Sequence, residues 1–114
     1  QLDRLSGSTD WVPPVDLFET TDHYEVIVEV PGLDRDQIQI QVRNDVLTID
    51  GERVSAEVFC EQYHRMERGY GRFSRSFQLP EPVEAEGITA DLRDGVLTIR
   101  VPKALHQSRR IDVR

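Results

Sequence analysis

The chain has one cysteine in 114 residues, Cys60, so no disulfide can form within it and the fold must rest on its core. A lone thiol in a chain without a signal peptide fits a reducing cytoplasm, which is the expected location. Cys60 reads as a plain loop cysteine in preference to a redox switch. No apolar run approaches the ~20 residues of a membrane span, so no membrane association is expected. Gly69-Tyr-Gly71 lacks the third glycine and following helix of a phosphate loop, and there is no Walker lysine motif. The three histidines, His23, His64 and His106, lie far apart, and Cys60 with His64 would supply two ligands where structural zinc usually takes four. No metal or other cofactor is therefore expected. No serine sits in a nucleophile elbow, and no pair of carboxylates stands out as an acid/base couple. Enzymatic activity is disfavoured.

Charge narrows the field further. Fourteen Lys and Arg against 21 Asp and Glu give a net charge of −7, which repels phosphate backbones and makes nucleic acid an unsuitable partner. The same charge favours solubility in a protein that exposes apolar surface. The length is that of one domain, able to bury ~65% of its unfolded surface. The chain begins at Gln1 without a Met, as a fragment lacking its N-terminal arm would.

Residues 1–10 are polar and aperiodic and read as a flexible N-terminal segment. Trp11-Val-Pro-Pro14 brings the chain in with extended geometry, because proline disfavours helix at and before its own position. From there the apolar period is two. Tyr24, Val26, Val28 and Val30 share one face, and Ile38, Ile40 and Val42 alternate with glutamines. Leu47 with Ile49, and Leu97 with Ile99 and Val101, repeat the pattern. Such alternation signals strands with one buried face. Val15–Thr20 and Ile88–Leu92 are weaker strand candidates, and residues 34–37 have room for one short turn.

Turn residues punctuate the runs: Pro31-Gly32, Asn44-Asp45, Pro80 with Pro82, and Asp94-Gly95. Asp-Gly between alternating runs is a strong hairpin signal. Val46-Leu-Thr-Ile49 recurs as Val96-Leu-Thr-Ile99, as return strands of two similar hairpins would. Seven or eight short strands with polar turns give an all-β fold, an immunoglobulin-like antiparallel β-sandwich.

Three features break the pattern. Residues 52–69 form a charged connection longer than compact domains ordinarily tolerate, yet it contains Val58, Phe59, Tyr63 and Met66. It is either a solvated loop or an arm whose strand, about Gln62–Met66, joins another subunit's sheet edge. Arg75 shares a face with Phe73, Phe77 and Leu79. It either snorkels to the rim or meets an acidic group across an interface, the latter slightly preferred. Finally, Ile111-Asp-Val113 is an isolated apolar pair in a polar terminus. It is either a frayed end or a plug for a neighbour's groove.

From Trp11 to Val113 these pieces resemble bacterial small heat-shock proteins of the α-crystallin type. The matching motifs are Trp11-x-Pro-x-Val-Asp16, Val30-Pro-Gly-Leu33, Gly51-Glu-Arg53, Phe73-x-Arg-x-Phe-x-Leu-Pro80 and Ala90-Asp-Leu-Arg-Asp-Gly-Val-Leu97, with Asp94 where the family has Asn. The resemblance implies an α-crystallin domain over residues 11–103 and a C-terminal extension over 104–114. It implies a homodimer in which Gln62, Tyr63, His64, Arg65 and Met66 of the long strand-exchange loop pair with the partner's Val15 and Leu17 region, with Arg75 at the interface. It also implies that Ile111 and Val113 anchor in a groove formed by Ile38, Ile40, Val42, Ile88, Ala90 and Leu92 of another dimer, building a higher oligomer. The activity implied is ATP-independent holding of unfolding client proteins, which pass to ATP-dependent chaperones. A rival is a β-sandwich co-chaperone adaptor docking on an ATP-driven chaperone. Such an adaptor is expected to lack both the exchange loop and the Ile-x-Val tail.

Overall fold

A computed structural model of the protein describes residues 10–54, 62, 64, 65, 67–104 and 113. Among these are seven strands: β1 (Val15–Glu19), β2 (His23–Glu29), β3 (Ile38–Arg43), β4 (Val46–Arg53), β5 (Gly71–Gln78), β6 (Thr89–Arg93) and β7 (Val96–Pro102). They form two antiparallel sheets, one in the order β1-β2-β7-β6 and the other β3-β4-β5. The only helical pieces are single 3-10 turns at Arg35–Gln37 and Ala85–Gly87 among the described residues. The sandwich expected from the alternation is the fold observed. The sixth strand starts at Thr89, with Ile88 just outside it.

The repeated Val-Leu-Thr-Ile segment supplies a central strand to each sheet. Leu47 and Ile49 on β4, and Leu97 and Ile99 on β7, are buried together with Tyr24, Val26, Val28 and Phe73. Each fully buried aliphatic or aromatic side chain contributes about 1.5–3 kcal/mol relative to exposure, so this shared core is the main stabilising term. Both return strands follow two-residue turns whose residues have positive φ: 53° and 60° at Asn44 and Asp45, 54° and 77° at Asp94 and Gly95. That geometry matches the twist of paired strands. At Gly95 a Cβ would also come 2.9 Å from the Pro31 Cα, so only glycine fits closely there.

On the side of β5, the lead-in residues close the sandwich. Asp10 N–H donates to the Arg72 carbonyl (2.7 Å) and Glu29 N–H to the Pro14 carbonyl (3.1 Å). Trp11 meets Phe73 edge to face at 5.1 Å between centroids, a favoured aromatic geometry. No helix among the described residues is long and apolar enough to cross a membrane.

Candidate functional site at the open margins of the sandwich

Two margins stand open among the described residues. One is the outer edge of β1, which pairs with β2 alone among those residues. Glu29 N–H reaches Pro14 and Thr20 N–H reaches the His23 carbonyl (2.8 Å), so the hydrogen-bonded pairs with β2 fall at even-numbered residues of β1. Antiparallel ladders alternate, so the backbones of Val15, Leu17 and Glu19 turn outward to the vacant edge. Between the exposed Asp16 and Glu19, two large apolar side chains there are poorly covered: Leu17 is 41% exposed and Phe18 49% exposed. A row of outward donors and acceptors beside apolar side chains is a template for another strand.

The other margin lies between the sheets, where β3 and β6 form facing edges. A cleft of about 120 Å³ opens there, lined by Ile38, Ile40, Ala90, Leu92, Leu97 and Arg35. Four of the six expected groove residues therefore converge. Val42 and Ile88 do not line the cleft; both pack against the core from its margin. Val42 is two residues along β3 from Ile40, and Ile88 precedes β6 at the end of a 3-10 turn. Arg35 was not legible as a groove residue, because it stands on the short turn before β3. The expected turn at residues 34–37 was the one available signal.

The other expected site residues sit as follows. Gln62, His64 and Arg65 are exposed and lie in no strand, whereas Tyr63 and Met66 lie outside the described residues. Ile111 also lies outside them, and Val113 is 96% exposed. Arg75 is half-buried on β5, directly across from Ile49 of β4, which in turn faces Ile40 of β3. Its Nη1 donates to the Pro13 carbonyl at 2.8 Å, and its guanidinium carbon lies 5.2 Å from the Phe77 ring centroid. Within one chain the arginine is thus held by a backbone carbonyl of the lead-in segment.

Both roots of the long connection are fastened. Arg53, at the end of β4, donates from Nε to the Gly69 carbonyl (2.6 Å) and from Nη1 to the Pro31 carbonyl (2.8 Å). Its guanidinium lies 4.2 Å above the Trp11 ring, and Trp11 Nε1 donates to the Gly71 carbonyl at 2.9 Å. These contacts draw residues 53 and 69 together, so the connection leaves and re-enters at one place.

The root of the C-terminal segment is equally fixed. Lys103, whose side chain is 11% exposed, contacts Glu19 at 2.7 Å and Glu81 at 2.8 Å. Hydrogen bonds to Glu19 and then Glu81 hold its ammonium well above the usual lysine range. At the β1–β2 turn, hydrogen bonds from His23 and Thr20 lower the Asp22 carboxyl below its ordinary value. Among the described residues no cluster of three His, Cys, Asp or Glu side chains forms a metal site.

Comparison with known families adds a decisive observation: residues 16–114 match the model of the Hsp20/alpha crystallin family. The chain belongs to that family. A family relative, small heat shock protein C4 of Rickettsia felis, is 42% identical over 92 residues, covering 80% of this chain and 56% of that protein. The crystal structure of hspA from Xanthomonas axonopodis superposes with a TM-score of 0.74 at 46% identity, over 82% of this chain and 94% of that one. A small heat-shock protein from Xylella fastidiosa, whose structure is described as having a distinct high order, gives a TM-score of 0.78 at 38% identity, over 93% and 99% of the two chains. The chain spans about half the length of the first curated relatives it matches. The family's α-crystallin sandwich is the fold seen here.

Proposed function

We propose that this chain is the dimerising and client-holding domain of an ATP-independent chaperone that works without catalysis. The observation that carries this reading is the pair of open margins on one rigid sandwich: the outward backbone of β1 and the apolar cleft between β3 and β6. Each is a surface that another chain can complete. In the homodimer, the 62–66 segment of one protomer adds to the Val15–Glu19 edge of its partner, and Arg75 sits at that interface. Ile111 and Val113 of one dimer seat in the cleft of another and build a higher oligomer. Membership of the small heat-shock family, whose solved members share this sandwich, supports the assignment.

The magnitudes suit a holding role. Burying Ile111 and Val113 contributes about 1.5–3 kcal/mol each, from which ordering the tail subtracts. A single tail therefore binds weakly, while many tails in one assembly bind firmly through effective concentration. Vacated clefts expose apolar surface to unfolding proteins, which offer apolar strands of the same kind. Clients held in this way pass to ATP-dependent chaperones in the cytoplasm.

The test is light scattering from a heat-labile client without nucleotide. Added chain is expected to suppress scattering in proportion to its concentration. Scattering equal to that of the client alone, or suppression only with an ATP-driven chaperone and ATP, overturns the reading in favour of an adaptor or another role.

A further inference from the structure

The apolar cleft has a charged rim. Beside it, a second recess is lined by Asp34, Arg35, Asp36 and Leu92, and it shares Arg35 and Leu92 with the cleft itself. The 3-10 turn bearing these charges is held in place: Asp34 N–H donates to Gln37 Oε1 at 2.8 Å, and Gln37 N–H to the Asp34 carbonyl at 3.0 Å. Arg35 forms no ion pair with another described residue. A pinned turn therefore presents one cation between two carboxylates at the mouth of an apolar slot.

The C-terminal segment carries the complementary pattern. On a chain of net charge −7, residues 109–114 read Arg-Arg-Ile-Asp-Val-Arg. In an extended strand successive side chains alternate. Ile111 and Val113 then point one way, and Arg110, Asp112 and Arg114 the other. When the apolar pair faces the cleft floor, the charged row runs along the rim.

We infer that Arg35 reads Asp112 between the two apolar anchors, while Asp34 and Asp36 hold the flanking arginines. The cleft thereby selects apolar–acidic–apolar segments with basic flanks over apolar segments in general. This rests on the tail-docking part of the proposed function and specifies the charge of its ligand. The occupant is the C-terminal segment of a second copy of this chain.

The experiment uses the full chain with Ile111→Ser and Val113→Ser, which disables its own tail, and a peptide of residues 108–114. Amide chemical shifts of Ile38, Ile40, Ala90 and Leu92 report binding. Replacing Asp112 by Arg in the peptide is expected to weaken binding ~5-fold, the scale of an exposed ion pair lost and a like charge gained. Arg35→Glu in the chain is expected to do the same to the native peptide. Combining the two reversed partners should restore most of the affinity. The differences should shrink as salt is raised, because exposed pairs are screened.

Equal binding by native and reversed peptides, or no restoration in the double reversal, overturns the inference while tail docking itself stands. If no peptide shifts the cleft amides, both fail together. A cleft that binds uncharged apolar peptides as well as the native one belongs to clients in general, and the charge reading is wrong.

Discussion

Lys103 Nζ lies 2.7 Å from Glu19 Oε2, joining the root of the C-terminal segment to the last residue of the vacant edge strand. The same ammonium reaches Glu81 at 2.8 Å and lies 5.3 Å from the Tyr24 ring centroid, while the Tyr24 hydroxyl accepts from Glu81 N–H at 3.1 Å. Three elements that are distant in sequence therefore meet at one side chain. In the proposed assembly, the edge that would take a partner's loop and the segment that would dock in another dimer's cleft share this junction.

Replacing Lys103 by Met should loosen that junction and lower the thermal unfolding midpoint by ~2–4 °C at neutral pH. The lysine's folded pKa is raised above its ordinary 10.5, so its contribution is fully present below that value. It is lost as pH rises through the folded value. The gap between the native chain and Lys103→Met should stay constant from pH 7 to about 10 and close above that, followed by circular dichroism. A gap that widens with rising pH would contradict the assignment.

Gly51 of β4 stands directly opposite Phe73 of β5, and the ring occupies the space a Cβ would need. Gly51→Ala should destabilise the fold by about 1–3 kcal/mol, the usual cost of overpacking. Phe73→Leu alone leaves a partial void, but in the Gly51→Ala background it should recover part of the loss. Urea unfolding of the double-mutant cycle checks the coupling. Strict additivity would mean that the two positions are not in competition.

Much of this molecule was readable along the chain, because its information is local. Alternation at Tyr24–Val30 and Ile38–Val42, and turns at Asn44-Asp45 and Asp94-Gly95, specify strands and their buried faces without reference to distant residues. One partner of Arg75, the Pro13 carbonyl, was not readable, because a main-chain oxygen has the same chemistry at every position. The Lys103 junction was hidden for a related reason, since its carboxylates come from residues 84 and 22 positions away. Val42 and Ile88 share the apolar character of the cleft residues, yet whether they line it depends on where two sheet edges diverge. Sequence period does not encode that separation.

Arg75→Ala should raise the dimer dissociation constant ~10-fold or more, because it leaves the Pro13 carbonyl without its donor and removes a cation from the proposed interface. Arg75→Lys should not restore dimer affinity, since an ammonium cannot reproduce the directed fork of a guanidinium. Sedimentation equilibrium measures both. Unaltered dimer affinity in Arg75→Ala would remove this residue from the interface.

Deleting residues 109–114 should leave the folded dimer intact and break down any larger oligomer, as followed by size exclusion with light scattering. The deletion takes away both Ile111 and Val113 but touches none of the core residues of the sandwich. An oligomer of unchanged mass would count against the anchor.

The direction of the β1 backbone gives the sharpest test of strand addition. Leu17 N–H points to the vacant edge, whereas Phe18 N–H belongs to the ladder with β2, as the alternation from Pro14 to Thr20 requires. Proline lacks that donor but tolerates edge positions. Leu17→Pro should therefore keep the β1–β2 hairpin and cost about 1 kcal/mol or less of stability, while blocking the bonds a partner strand needs. Phe18→Pro removes an inner ladder bond and should destabilise the fold by ~2–3 kcal/mol. Urea unfolding and sedimentation on the two variants separate the effects. A folded Leu17→Pro monomer is the expected result; undiminished dimer affinity in that variant would mean that partners meet elsewhere than along this edge.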